Sequence, residues 1–159
     1  MQKPWSRLAI LVGISVLCGG LPAAAENIKY SFNQNGLSWF GDLRQDIAVN
    51  NNGNKLLNFS TPSKDLIGFT LSADCQLIGR EQSIVDVDVI VDGSVIAITD
   101  GDDVFCSGRG IDVEGGWARQ SITFARTLEA GSHSLRIKAK AVGLHSFARI
   151  EDITILIWR

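Results

Sequence analysis

Hydrophobic and polar residues alternate with period two along most of this chain. Val85, Val87, Val89 and Val91 alternate with Asp86, Asp88 and Ile90, and Leu135, Ile137, Ala139 and Ala141 alternate with Arg136, Lys138 and Lys140. Ile122, Phe124 and Leu128 share a face opposite Ser121, Thr123 and Thr127. Successive side chains of a strand point to opposite sides, so each segment predicts a half-buried strand. On this reading the four valines face the core, and Asp86 and Asp88 face water. Likewise Leu135, Ile137 and Ala139 point inward while Arg136, Lys138 and Lys140 form an outward basic ridge. Residues 150–158 become apolar on both faces after Asp152, which predicts a strand covered on both sides. Weaker strands are expected over 28–32, 46–49, 56–59, 66–71 and 95–98. No segment holds a helical period for longer than about two turns.

Turn chemistry separates these segments. Residues 50–54 (with Gly53), Asp92-Gly93, Asp100-Gly101, Gly115-Gly116 and Gly131-Ser132 all carry turn-forming residues. Asp92-Gly93 lies between two apolar runs and predicts a tight hairpin. Many short strands at close spacing point to a single antiparallel β-sandwich of jelly-roll type. Its domain would span residues 26–159.

The first 25 residues are of a different kind. Lys3 and Arg7 precede an apolar run over 8–17, and small residues follow, ending in Ala23-Ala24-Ala25. That is the pattern of a secretory signal peptide, and the run is too short for a membrane span. It implies a secreted or periplasmic protein with no integral membrane segment once the leader is cleaved. A lipid anchor at Cys18 would require a small residue where Leu17 stands. Asn58-Phe59-Ser60 has the form of a glycosylation sequon, but the leader is of bacterial type.

Cleavage would remove Lys3 and Arg7 from 15 bases, leaving 13 against 17 acids. A mildly acidic chain is a poor partner for nucleic acid or anionic membranes. Two cysteines would remain, Cys75 and Cys106. An even pair in an oxidising compartment predicts a disulfide, and the spacing fits neither CxxC nor a zinc-ligand pattern. Charge is also segregated: residues 81–114 hold nine acids and one base, and residues 115–159 hold seven bases and three acids. Cross-strand pairing of the two segments at the surface is the simplest expectation. A dipolar surface that orients a partner is the alternative.

Leu128-Glu129-Ala130-Gly131-Ser132-His133-Ser134-Leu135-Arg136-Ile137 resembles the strand-opening pattern L-x-A-G-x-H-x-L-x-V of secreted bacterial β-sandwich proteins and carbohydrate-binding modules. Ala148-Arg149-Ile150-Glu151-Asp152-Ile153 resembles the closing strand of the same proteins. The resemblance implies a jelly-roll-like fold. These motifs are structural, so no functional residue is carried over.

Candidate chemistry is sparse. Asp100, Asp102 and Asp103 around Gly101 offer hard oxygen ligands suited to calcium, although the spacing is not that of an EF-hand, and Asp-Gly is equally an ordinary turn. No other cofactor is implied. Asp86 and Asp88 share a strand face and could be weighed as an acid–base pair for glycoside cleavage. His133, flanked by serines, is not in a nucleophile elbow and is expected at a strand start, hydrogen-bonded to backbone. His145 is expected in the last loop. Trp117, after Gly115-Gly116, and Trp39-Phe40 could present flat rings to a sugar or could cap the core.

Three functions follow. The first is a secreted non-catalytic module that binds a glycan or a cell-surface protein, with Trp117 and Trp39 as the contact residues. The second is a secreted hydrolase built on the acidic segment 81–114. The third is a subunit of an extracellular assembly, for which the aromatic Trp158 next to the C-terminus is the one matching feature.

Overall fold

The structure, a computed structural model, describes residues 25–40, 43–78, 83–98, 105–108, 117–143 and 147–159. Eleven strands and no helix lie among the described residues, in two sheets. The first sheet runs in the order β1 (Asn27–Asn33), β11 (Phe147–Trp158), β5 (Asp65–Ile78) and β9 (Ala118–Leu128), with β2 (Leu37–Phe40) also on β11. The second runs β3 (Gln45–Ile47), β10 (Gly131–Val142), β6 (Ser83–Val91) and β7 (Ser94–Ile98), with β4 (Leu57–Thr61) on β10 and β8 (Cys106–Gly108) on β6. Every pairing is antiparallel. The protein is therefore an antiparallel β-sandwich, as the alternation required.

The core lies between the sheets. Ile67, Phe69, Leu71, Ala73, Cys75 and Leu77 of β5 are buried, and they face Val85, Val87, Val89 and Val91 of β6 and Leu135, Ile137, Ala139 and Ala141 of β10. Phe69 anchors the aromatic part, stacked on Phe124 at 5.3 Å and edge-on to Phe59 at 6.0 Å. The alternation in β5 runs on to Leu77, so this strand is far longer than the expected 66–71. Cys75 and Cys106 form the expected disulfide, which joins β5 of one sheet to β8 of the other. The Asp92-Gly93 hairpin also forms, with φ of 50° and 78°. Two successive positive φ values define the tight turn that matches strand twist, and Asp and Gly tolerate them best.

Two expectations are corrected. Residues 150–158 are not apolar because both faces are covered. β11 carries a bulge at Asp152 (φ 51°), where the register with β5 shifts between Glu151 and Thr154. Ala148 and Ile150 point inward before the bulge, and Ile153, Ile155 and Ile157 after it. An extra residue reverses the parity of everything downstream. Leu156 and Trp158 are left half-buried on the outer side.

The second correction concerns Asp86 and Asp88, which do not face water. They are 1% and 8% exposed, although their valine neighbours face the core as expected. Lys140 Nζ lies 3.2 Å from Asp86, and Arg44 reaches Asp88 at 2.8 Å. Register places Asp86 opposite Lys140 and Asp88 opposite Lys138. The acidic and basic segments do pair across strands, but the Asp86 pair is buried rather than a surface contact. The two carboxylates weighed for glycoside cleavage are thus engaged by Lys140 and Arg44.

Candidate functional site

The outer face of the first sheet is built from the alternate residues of four adjacent strands. Because Ile67 to Leu77 point inward at odd positions, Thr70, Ser72 and Asp74 point outward. Register aligns them into rows. Tyr30, Leu156, Thr70 and Thr123 form one row, and Phe32, Thr154, Ser72 and Ser121 the next. Hydroxyls meet across the β5–β9 boundary, Thr70 with Thr123 at 3.1 Å and Ser72 with Ser121 at 2.9 Å. The next row is ionic: Arg119 donates to Asp74 at 3.1 Å, and Arg149 pairs with Glu151 at 2.9 Å.

Aromatic rings stand at both ends of this face. Trp117 immediately precedes β9 and is 42% exposed. The Arg149 guanidinium sits 5.0 Å from its ring centroid, a cation–π contact that fixes the ring and covers one of its faces. At the other end Trp158 lies over Gly68. A Cβ added at Gly68 would meet the Trp158 ring at 2.3 Å, so only glycine admits the ring there. Trp158 Nε1 also approaches Thr70 Oγ1 at 3.5 Å. Tyr30, beside Leu156, is 62% exposed.

A second polar cluster lies where β10 meets β4 and the β6–β7 turn, with the His133 ring 5.3 Å from that of Phe59. His133 Nδ1 is 2.7 Å from Asp92 Oδ2, and Nε2 is 3.0 Å from both the Glu129 carbonyl and Thr61 Oγ1. Thr61 donates its own proton to the Glu129 carbonyl at 2.6 Å. Both ring nitrogens therefore face acceptors, and the doubly protonated ring satisfies every contact. The Asp92 hydrogen bond pulls the His133 pKa up from its usual 6.5, against an opposing effect of burial. Burial pushes Asp92 the other way, but hydrogen bonds from His133 and Ser134 outweigh it and hold this carboxyl below its usual range. Asp, His and Thr occur here in the order of a catalytic triad without its proton logic. Thr61 is 3% exposed and its proton points away from the histidine. The cluster instead pins the β6–β7 turn and the β9–β10 turn to β4, beside an open groove of about 680 Å³ lined by Lys29, Asn58, Ser60 and Ser132. The expected backbone bond of His133 is present, and the Asp92 and Thr61 partners are additions that only the fold supplies.

The other sequence candidates fall as follows. Trp39 lies in β2, opposite Ala148 in register. Asp100, Asp102, Asp103, His145, Gly115-Gly116 and residues 1–24 of the leader lie outside the described residues. Among the described residues no three His, Cys, Asp or Glu side chains converge on a metal position. Sequence reasoning missed β2, β8 and the second half of β5. It also missed the Gly68–Trp158 contact, for which glycine inside a strand pattern was the available signal.

No protein-family model and no curated protein matches the sequence. Solved structures with a similar fold include a β-glucosidase from Paenibacillus barengoltzii (13% identity, TM-score 0.35), of which the match covers 71% of this chain and 10% of the other. A structure of infectious bursal disease virus, Gx strain, matches at 10% identity and TM-score 0.49 over 86% of this chain and 32% of the other. A family 35 carbohydrate-binding module from Clostridium thermocellum matches at 10% identity and TM-score 0.34, over 84% of this chain and 98% of the module. The chain thus spans a small part of the first two proteins and nearly the whole of the third.

Proposed function

We propose that this chain is a secreted, non-catalytic β-sandwich module that binds glycan on the outer face of its first sheet. One observation carries the reading: Trp117 is a half-exposed ring, held by Arg149 on one side, at the end of a face that also carries rows of hydroxyls and paired charges. Sugars present apolar C–H faces that stack on indole and hydroxyls that exchange hydrogen bonds with serine and threonine. The disulfide and the leader-like N-terminus support export. The test is a glycan array on the mature protein, followed by titration of the best hit against Trp117→Ala. A stacked ring contributes about 1 kcal/mol or more, so the variant should lose at least several-fold in affinity while keeping its melt. Equal binding by wild type and variant would remove Trp117 from the site.

A further inference from the structure

We propose that the outer face of the first sheet is a track for a linear, uncharged polysaccharide, running from Trp117 at one end to Trp158 and Tyr30 at the other. The inference rests on the glycan reading above and adds the length and charge class of the ligand.

Three observations support it. The first is distance. Arg149, which covers Trp117, lies opposite Gln76, and Trp158 lies opposite Gly68, both on β5. Those positions are eight residues apart, about 26 Å at the rise of a strand, which is the length of about five linked pyranose rings. A mono- or disaccharide could touch only one end.

The second is what lies between. The Thr70–Thr123 and Ser72–Ser121 pairs, with Thr154 beside them, form two adjoining rows of hydroxyls toward the Trp158 end, and the paired Arg119, Asp74 and Glu151 form the row between them and Trp117. Each hydroxyl can donate and accept, so the two rows suit a repeating ligand whose own hydroxyls do both. They do not favour one register over the next, as a polymer-binding surface requires.

The third is charge. Both arginines of this face are already engaged: Arg119 with Asp74, and Arg149 with Glu151 and Trp117. Arg119 also reaches Thr154 Oγ1 at 3.5 Å. A sulfated or uronic polymer would have to compete with Asp74 and Glu151 for these arginines. A neutral polymer leaves both pairs intact.

Native affinity gels cast with hydroxyethylcellulose, neutral arabinoxylan or glucomannan, and with polygalacturonate as the charged control, should show retardation by a neutral polymer and none by polygalacturonate. Oligosaccharides of the retarding polymer, from dimer to hexamer, should then bind with affinity that rises at least tenfold and levels off near the pentamer. Ser121→Arg places a long charged side chain on the exposed hydroxyl rows and should weaken the hexamer several-fold with little effect on the dimer. Trp158→Ala tests the far end, and Tyr30→Ala does so without disturbing the ring packed on Gly68. Both should lower hexamer affinity and leave the dimer at the Trp117 end unchanged. Equal affinities for dimer and hexamer, both lost in Trp117→Ala, would leave a glycan module with a single short site and overturn the track. Preferential retardation by polygalacturonate would overturn the neutral class. No retardation by any polymer, together with no hit on a glycan array, would remove both this inference and the reading beneath it.

Discussion

The two outer faces of the sandwich differ in chemistry. On the second sheet, Asp86 and Asp88 of β6 are buried against Lys140 and Arg44, and Asp46 lies 3.9 Å from Arg136. On the first, the Arg119–Asp74 and Arg149–Glu151 pairs are only partly buried, and beside them the Thr70–Thr123 and Ser72–Ser121 hydroxyls lie between Trp117 and Trp158. Desolvated charges must keep their partners, because losing one strands the other away from water. Hydroxyls on an exposed sheet lose little when they exchange one partner for another. The buried ion pairs are therefore committed to holding the fold, whereas the hydroxyl rows can exchange partners at little cost.

That contrast can be broken at several points. The largest effect should come from Lys140→Met. Among the described residues neither oxygen of Asp86 accepts a hydrogen bond, and the Lys140 contact is an ion pair without hydrogen-bond alignment. Removing the lysine leaves a buried, unpaired carboxylate, at a cost of about 3–5 kcal/mol. Urea unfolding should show the loss, and adding Asp86→Leu should restore most of it. A single variant as stable as wild type would mean that this face is not ionically held.

Reducing the disulfide should cost slightly less, about 3–4 kcal/mol, since the bond closes a loop between residues 31 apart and ties the two sheets together. Denaturation with and without a reductant, with Cys75→Ser/Cys106→Ser as the control, measures it. A loss far below about 1 kcal/mol would show that the packed core alone fixes the sheets together.

The His133 cluster predicts a smaller effect, dependent on pH. A histidine whose pKa is raised on folding stabilises fully below its unfolded value near 6.5, and that stability is lost as pH rises through the folded value. Asp92 is the opposite case: its contribution is present above about 3.8 and is lost as pH falls through its lower folded value. The pair therefore contributes most between these limits. Thermal melts from pH 5 to 9 should show a decline above about pH 6.5 that flattens in Asp92→Asn, in which the side chain is neutral but still suited to positive φ. An unchanged slope in the variant would assign the decline to other groups.

The smallest effect on stability belongs to the outer face of the first sheet. Trp117→Ala should change the urea midpoint by less than about 0.5 kcal/mol, in keeping with a surface position outside the core. If this substitution unfolds the protein, the ring is structural. The contrast between the two faces then fails, and a structural or assembly role takes the lead.

Much of the fold could be read from the chain, for a local reason. Period two in β6, β9 and β10 is a property of the strand itself, and Asp92-Gly93 carries its own turn conformation. The cysteine pair followed from count and compartment. Reading failed where two strands had to meet. β2 and β8 are three or four residues long and are strands only because β11 and β6 hold them. Asp86 looked like a surface residue because its alternation with valine says only that it lies on the other side, not what covers that side. The alternation of β11 was hidden by the bulge at Asp152, which moves the inward face from Ala148 and Ile150 to Ile153, Ile155 and Ile157, and by the apolar Leu156 and Trp158 on the outer side.

The amino-acid sequence by itself determined the class of fold, the inward face of most strands and the tightest turn, because each depends on neighbours one, two or a few residues away, and the disulfide, because the cysteine count leaves one pair. Only the tertiary structure decided that Asp86 is buried beside Lys140, that His133 stands between Asp92 and Thr61, and that hydroxyls from β5 and β9 line up between Trp117 and Trp158. These contacts join residues tens of positions apart. Their register is set by the pairing of whole strands, and no local pattern encodes which strand becomes whose neighbour.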